Sequence, residues 1–293
     1  ERLRGIGASP GFGIGLAHIL HPQIVFADIE DRPSDDPTAE AARFEHAVEV
    51  AEADLEHQRE KMNEIVPEAT GKIFDAYVLM LRDETVASRI RALIQDGTCA
   101  EYAVRRVIEE YVAAFEDIDD PYLQERALDI KDIGQRLIRI LLGIGESPDR
   151  APEEGSVLIA KELTLTDLAE IEPGHLRGIA LATGGATSHA TILAKSFEIP
   201  TVVGIDQLLQ HVVEGDEVIV DGNAGVVYRR PGPEVVREYE RMEGDYRANE
   251  RGARERGDRD RGERAERHES LLAPTHCNRG AVRIPLILGP SRR

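Results

Sequence analysis

One stretch decides the fold of this chain, residues 184–204, which read GGATSHATILAKSFEIPTVVG. A strand-like run at 178–182 precedes it, and its own last residues, 201–204, again have the β-branched composition of a strand. The two glycines at its start permit a backbone path that residues with a Cβ resist. The stretch therefore predicts a strand, a glycine turn, one short helix and a second strand.

The start of that helix carries the functional signal. Thr187 and Ser188 are both residue types that favour an N-cap, so we expect the helix to begin within one residue of His189. The imidazole then lies beside the free N–H groups and the positive dipole end of a helix, which suits a phosphate group. Our first hypothesis is that His189 carries a phosphoryl group. The alternative is a capped helix with an incidental histidine, because helix N-termini are common and need no ligand.

Length and composition bound the class of protein. A chain of 293 residues with 41% hydrophobic residues predicts two domains with real cores. No apolar run approaches the length of a membrane-spanning helix, and the first residues lack the apolar segment of a signal peptide. Cys99 and Cys277 lie far apart without ligand-like spacing, which argues against a disulfide framework or a zinc site. We therefore predict a cytoplasmic protein with no membrane insertion and no metal site.

The net charge of −19 is unevenly distributed. Residues 1–240 hold 46 acidic and 23 basic side chains, whereas residues 241–293 hold 9 acidic side chains and 13 arginines. An acidic body argues against binding to nucleic acid or to an anionic membrane, and it suits a small basic partner. Because the chain has 5 lysines against 31 arginines, a high-salt or GC-rich source explains the acidity equally well.

The spacing of apolar residues changes along the chain. Residues 4–20 combine glycines with apolar alternation, as expected of two short strands around a Ser-Pro-Gly bend. From 35 to 143 apolar residues recur every three or four positions, which predicts an antiparallel helical bundle, with a capping box at 98–101 for one of its helices. Residues 155–230 return to strand-like runs with helices between the first three. We predict that the opening strands join this second region, so that the bundle is an insertion into an α/β domain.

Four stretches in order resemble one known family. Gly184–Gly204 resembles the phosphohistidine motif GGxTSHxxIxAxxxxIPxVVG of Enzyme I, the phosphoenolpyruvate–protein phosphotransferase of the sugar phosphotransferase system. Gly5–Phe12 resembles the N-terminal strand of that family, Ile73–Glu84 its IFxAHxxxLxD segment, and Asp117–Arg136 its DxYLxERAxDIxDxGxR helix. By this resemblance, which covers about residues 1–245, the chain is identified as a member of the family.

The resemblance implies a fold and its boundaries. The fold is an α/β phosphohistidine (swivelling) domain with an inserted antiparallel α-helical bundle. The α/β domain then comprises residues 1–21 and 146–230, and the inserted helical domain, which binds the small protein HPr in the family, comprises residues 22–145. A linker helix follows at 231–247, and a charged, atypical tail occupies 248–293.

The resemblance also implies a reaction. In this family the active histidine accepts phosphate from phosphoenolpyruvate on its Nε2 atom and passes it to a histidine of HPr. By motif position the active histidine is His189, and imidazole is a good nucleophile when it is neutral. The residues expected to support the phosphate are Gly184, Gly185, Thr187, Ser188, Thr166, Arg126 and Asp129. For Arg126 and Asp129, an i,i+3 pair within one helix is the alternative.

The helical region would supply the surface for HPr. The candidates are an apolar stripe of Leu79, Met80 and Leu81 and an acidic rim of Glu68, Asp83 and Glu84. For each apolar residue taken singly, a place in the core of the bundle is the stronger alternative. Arg82 stands where an acidic residue is usual, which would weaken attraction for a basic partner.

Two departures from the family pattern affect the site. Leu168 stands at the family position of a threonine whose hydroxyl can orient the active histidine. Either Thr166 or Thr164 replaces that threonine, or another group orients His189. Tyr77 stands where the family often has histidine, so this side chain is not essential or the partner contact differs.

The largest departure is that the second half of the family pattern is missing. In Enzyme I that half is a TIM barrel that binds phosphoenolpyruvate and Mg²⁺ and mediates dimerisation. We therefore expect this chain to bind no cofactor, to be monomeric and not to phosphorylate itself from phosphoenolpyruvate, yet to exchange phosphate with phospho-HPr. A truncation, or a shifted reading frame in a GC-rich gene, would explain the tail.

Other functions stay open on the sequence alone. Relatives of pyruvate phosphate dikinase share a swivelling phosphohistidine domain, but they usually have cysteine at the position of Ser188 and lack the helical insertion. A non-catalytic fragment that only binds HPr would have the same sequence features as a phosphate carrier. The nitrogen-branch paralogue normally carries an N-terminal GAF domain, whose absence here weakly favours the sugar branch.

Overall fold

The computed structural model of the chain describes residues 1–22, 24–65, 67–144, 151–185 and 188–246. The side chains of 64, 65, 67–70, 121, 122, 124 and 125 are outside this description. The tail predicted at 248–293 and the last residue of the predicted linker helix also lie outside the described residues. By their mutual contacts, Glu1–Tyr246 form one compact unit.

A mixed sheet forms the α/β part of the described residues. Its strands are β1 (Arg2–Arg4), β2 (Ile6–Ser9), β3 (Phe12–Leu20), β4 (Ser156–Ala160), β5 (Leu176–Leu181), β6 (Thr201–Val203), β7 (Glu217–Asp221) and β8 (Val226–Arg229). They lie side by side in the order β1-β8-β7-β3-β4-β5-β6-β2. The run from β3 to β6 is parallel and the remaining pairs are antiparallel. The strands predicted between 155 and 230 are confirmed, and the opening strands join the same sheet as expected.

Strand β3 connects the two halves of the sheet. Its residues 12–16 pair antiparallel with 217–221 of β7, and its residues 17–20 pair parallel with 157–160 of β4. At Gly13 a Cβ atom would lie 1.9 Å from the backbone oxygen of Arg177 at the start of β5. Glycine is therefore required here because two backbones approach closely.

Helices fill the chain between β3 and β4. They are α1 (Pro37–Ile65), α2 (Pro67–Leu81), α3 (Glu84–Gln95), α4 (Ala100–Glu116) and α5 (Pro121–Leu141). The α3 helix begins where it does because the carboxylate of Asp83 accepts hydrogen bonds from the backbone N–H groups of Thr85, at 2.8 Å, and Val86, at 3.1 Å. The helical pattern read between 35 and 143 is confirmed.

The capping box predicted at 98–101 is wrong. The N-cap of α4 is Cys99, whose side chain makes no capping hydrogen bond. The first N–H of the helix, on Ala100, instead donates to the carboxylate of Glu40 on α1 at 2.8 Å. A tertiary contact thus satisfies a group that the local sequence was expected to satisfy.

Two hydrophobic cores lie on opposite faces of the sheet. Leu158 and Ala160 of β4 belong to one core, whereas Val157 and Ile159, which alternate with them, belong to the other. The first core also contains the buried faces of α1 to α5, for example Phe44. The helical part and one face of the sheet therefore share a single core.

Further helices follow β4. They are α6 (Leu165–Glu170), α7 (His189–Ser196) and α8 (Leu208–His211), and residues 233–246 form α9. The ring of Tyr239 on α9 packs edge-on against Phe12 of β3, with 5.7 Å between the ring centroids. Within the described residues, no helix has the length and apolar character needed to cross a bilayer.

Gly13→Ala is expected to lower the free energy of unfolding by about 3 kcal/mol, because the backbone oxygen that meets the new methyl group cannot rotate away. Gly174→Ala is the matched control, since no atom lies within 4 Å of the Cβ that it would add. Urea denaturation of both variants measures the difference. Equal stabilities would contradict the close approach of β3 and β5.

Candidate functional site

His189 is the first residue of α7, as the sequence predicts. Ser188 is the N-cap, and its hydroxyl oxygen accepts a hydrogen bond from the N–H of Thr191 at 3.3 Å. The Ser188 hydroxyl in turn donates to the Thr191 hydroxyl at 2.9 Å. These bonds fix the start of the helix and leave the imidazole beside its N-terminal end, with 23% of the side chain exposed.

The glycine turn before α7 is tied to the same helix. The carbonyl oxygen of Gly185 accepts from the hydroxyl of Thr191 at 3.1 Å and from the N–H of Ser188 at 3.3 Å. Gly184 has a φ of +107°, which a residue with a Cβ rarely adopts. Thr187, which we expected to support the phosphate, lies outside the described residues.

The imidazole of His189 contacts a carboxylate from the helical part of the chain. Its Nδ1 atom lies 3.2 Å from Oδ1 of Asp129, a buried residue of α5. Oδ2 of the same carboxylate accepts from the guanidinium of Arg126 at 3.3 Å. The pair of Arg126 and Asp129 expected within one helix is therefore present, and Asp129 also contacts His189.

This contact favours one tautomer of His189. An ionised carboxylate only accepts hydrogen bonds, so the proton of a neutral imidazole belongs on Nδ1, facing Asp129. Nε2 then carries the lone pair and is the nucleophilic atom. The geometry thus favours chemistry on Nε2.

Tyr77 is a site residue that the sequence interpretation undervalued. This fully buried side chain of α2 donates its hydroxyl hydrogen to Oδ1 of Asp129 at 3.0 Å, and its ring centroid lies 6.4 Å from that of His189. The sequence signal was its position in the motif at 73–84, where the family often has histidine. The ring N–H of histidine can also donate a hydrogen bond.

Thr166, which we expected as one replacement for the family threonine, lies elsewhere. Its hydroxyl donates to Asp132 at 2.9 Å and accepts from Arg136 at 3.0 Å. Thr164 instead caps α6 through a reciprocal capping box with Asp167. The structure brings Asp129 to the imidazole in place of either threonine.

Asp132 and Arg136 form a buried polar cluster with Thr166 between α5 and α6. Burial raises the pKa of the Asp132 carboxyl from its ordinary value to about 6, although the nearby Arg136 opposes this shift. Burial also lowers the pKa of the Arg136 guanidinium, with the negative charge of Asp132 acting in the opposite sense. For both groups, the loss of hydration shifts the pKa more than their mutual attraction does. The cluster therefore joins the two parts of the chain, but burying its charges costs free energy.

The residues expected to bind the partner have different surroundings. Leu79 on α2 is 76% exposed, Met80 is half-buried, and Leu81 is buried in the core. Asp83 caps α3, and Glu84 pairs with Arg91 at 2.7 Å. The side chain of Glu68 lies outside the described residues. Of the apolar stripe, Leu79 is the residue with a free surface.

An apolar groove of about 220 Å³ lies beside Met80 in the helical part. Asp83 and Arg126 also line it, so the groove extends from α2 toward the residue that pairs with Asp129. Its apolar lining includes Leu81, Val86, Ile90, Tyr111 and Phe115. The groove therefore lies beside the expected partner surface, and Arg126 is the residue that it shares with the surroundings of Asp129.

Comparisons with known families match most of the described chain. Residues 4–126 match the family described as PEP-utilising enzyme, N-terminal, and residues 152–225 match PEP-utilising enzyme, mobile domain. The phosphoenolpyruvate-protein phosphotransferase of Listeria monocytogenes is 35% identical over 248 residues, 84% of this chain and 43% of the relative. That of Haloferax volcanii is 39% identical over 79% of this chain and 41% of the relative. The chain thus spans less than half the length of these relatives.

Two solved structures resemble the chain over nearly their whole length. The NMR solution structure of Enzyme I (nEIt) has a TM-score of 0.62 and 33% sequence identity, covering 84% of this chain and 99% of that one. The N-terminal domain of Enzyme 1 – Nitrogen has a TM-score of 0.54 and 31% identity, covering 82% and 98%.

Asp129→Asn is expected to change the tautomer of His189, because the amide offers a donor as well as an acceptor to Nδ1. ¹⁵N NMR of the unphosphorylated, histidine-labelled protein should show a population of the Nε2–H form that wild type lacks. Asp75→Asn, on the exposed face of α2, is the control and should leave the spectrum unchanged. A variant that keeps the Nδ1–H form would show that Asp129 does not set the tautomer.

Asp132→Asn is expected to flatten the pH dependence of stability. Because the folded-state pKa of Asp132 is about 6, against 3.8 ordinarily, the folded state binds the additional proton between these values. Wild-type stability therefore falls as pH rises through this window. Between pH 4.5 and 6.5, urea denaturation should show wild type losing roughly 2 kcal/mol relative to the variant. Parallel pH profiles would contradict the raised pKa.

Proposed function

The chain belongs to the Enzyme I family of phosphoenolpyruvate-protein phosphotransferases, and on this premise we propose that His189 carries a phosphoryl group from phosphoenolpyruvate to HPr. The observation that carries the proposal is the 3.2 Å contact between Nδ1 of His189 and Asp129, which leaves Nε2 as the nucleophile. The chain matches less than half of its longer relatives, so the activity and partners of the whole protein belong to the proposal. A cytoplasmic location is part of it too.

In the first step, the lone pair of Nε2 attacks the phosphorus atom of phosphoenolpyruvate. The Nε2–P bond forms while the bond from phosphorus to the enol oxygen breaks, and the departing enolate takes a proton to become pyruvate. No base is needed to deprotonate Nε2, because the ring proton lies on Nδ1. The Asp129 carboxylate stabilises the positive charge that the ring gains.

In the second step, a ring nitrogen of a histidine on HPr attacks the same phosphorus atom. The Nε2–P bond breaks, and its electron pair returns to the imidazole of His189. The ring keeps its Nδ1 proton throughout, so Asp129 serves both steps without moving. Catalysis is then positioning and electrostatics, as is general for phosphoryl transfer.

The surroundings of His189 suit a phosphoryl group. The free N–H groups at the start of α7 supply positive potential, and the guanidinium of Arg126 adds a cation behind Asp129. Within the described residues, no group of three His, Cys, Asp or Glu side chains has the arrangement of a metal site.

The helices α1 to α5 fit an insertion that docks the partner. Strands β3 and β4 are adjacent and parallel in the sheet, although all five helices separate them in sequence. Removing the helices would therefore leave a continuous α/β domain, which favours an inserted antiparallel bundle. The exposed Leu79 and the groove beside Met80 offer HPr an apolar surface. The acidic charge of the chain would attract a basic partner to it.

Transfer of labelled phosphate tests the proposal. Wild type mixed with ³²P-labelled phospho-HPr should become labelled, whereas His189→Ala should show a loss of at least a thousandfold because the attacking atom is gone. His46→Ala, which removes an exposed histidine of α1, is the matched control and should be labelled like wild type. Calorimetric titration with HPr measures binding separately.

The outcomes separate the competing functions. Label in His189→Ala would refute the assignment of the site. Wild type that binds HPr but takes no label would be a binding fragment and not a carrier. If the wild-type protein neither binds HPr nor takes label, HPr is not its partner.

A further inference from the structure

The hydroxyl group of Tyr77 lies at the junction of α2, α5 and α7. The side chain is 1% exposed, and its hydroxyl donates to Oδ1 of Asp129 at 3.0 Å. Burial, together with the charges of Asp132 and Asp129, raises the pKa of Tyr77 well above its ordinary value. The hydroxyl of Tyr77 therefore keeps its hydrogen and donates it to the carboxylate of Asp129.

The same carboxylate oxygen faces the imidazole. Oδ1 of Asp129 lies 3.2 Å from Nδ1 of His189, so it receives one donor from α2 and one from α7. Oδ2 receives Arg126 from its own helix at 3.3 Å. The carboxylate of Asp129 is thus held on both oxygens, and its orientation toward His189 is defined from two sides.

We propose that Tyr77 is a positioning residue for His189, whose hydroxyl fixes Oδ1 of Asp129 and thereby the Nδ1–H tautomer that leaves Nε2 nucleophilic. The terminal torsion of an aspartate side chain is broad, so a carboxylate held at one oxygen alone samples several orientations. With the Tyr77 hydroxyl removed, the oxygen that faces the ring is no longer fixed. The effect on phosphoryl transfer rests on the proposed function, whereas the effect on the tautomer does not.

The alternative is a core tyrosine with an incidental hydrogen bond. If Tyr77 only filled space, a phenylalanine would fill nearly the same volume without burying a hydroxyl group. Burying a hydroxyl costs free energy unless it forms a hydrogen bond, as that of Tyr77 does with Asp129. A purely structural Tyr77 would affect stability alone. A positioning residue also changes the ring of His189, which is a separate observable.

The test compares Tyr77→Phe with a control variant, Tyr102→Phe. Tyr102 is a half-buried residue of α4 whose ring lies against Arg105. ¹⁵N NMR of the unphosphorylated, histidine-labelled proteins should show the Nδ1–H form of His189 in wild type and in Tyr102→Phe. Tyr77→Phe should show a mixture with the Nε2–H form. Label transfer from phospho-HPr should fall about tenfold to a hundredfold in Tyr77→Phe, with HPr binding unchanged.

A folded Tyr77→Phe that keeps the wild-type tautomer and transfer rate would overturn the proposal. Should this variant fail to fold, Tyr77→Met carries the same test, since it also lacks a donor and fits irregular spaces. Tyr77→His, which restores a ring donor, is expected to recover the Nδ1–H form. If Tyr77→Phe shifts the tautomer but the wild-type protein takes no label, the positioning role is supported and the proposed function is refuted.

Discussion

The contact between Asp129 and His189 is the interaction on which the rest of the site depends. It joins α5, in the helical part, to α7, in the α/β part, and it favours the tautomer with the ring proton on Nδ1. The proposed attack by Nε2 depends on that tautomer, because a protonated Nε2 could not attack phosphorus. The contact exists only while the helices stay packed on the sheet.

That packing has an apolar and a polar component. One hydrophobic core runs from the sheet into α1 to α5, so the two parts are held together by burial that neither achieves alone. The cluster of Asp132, Thr166 and Arg136 crosses the same boundary, and both of its charged members are desolvated. The apolar core supplies the stability, whereas the buried polar groups restrict how α5 can lie against α6.

Helix α2 links the outer surface to the site. It presents Leu79 to solvent and Tyr77 to the carboxylate of Asp129, two residues apart on the same helix. From the sequence, a place in the core was the stronger expectation for Leu81 and for Leu79 alike. It is correct for Leu81 and wrong for Leu79, which is exposed. The sequence did not allow the role of Tyr77 to be inferred, since the partner of that hydroxyl lies 52 residues away in the chain.

The sequence by itself determined the strands, the helices of the region 35–143 and the start of α7, because these depend on local periodicity, glycines and capping residues. It also singled out His189 by its place in a motif. It did not predict α8 or the N-cap of α4. The tertiary structure alone decided what orients that histidine: Thr166 and Thr164, close to Leu168 in sequence, have other partners, and Asp129 comes from a distant helix. The physical reason is that a side-chain hydrogen bond between separate elements depends on how those elements pack. Packing is set by the whole core and not by the residues near either partner.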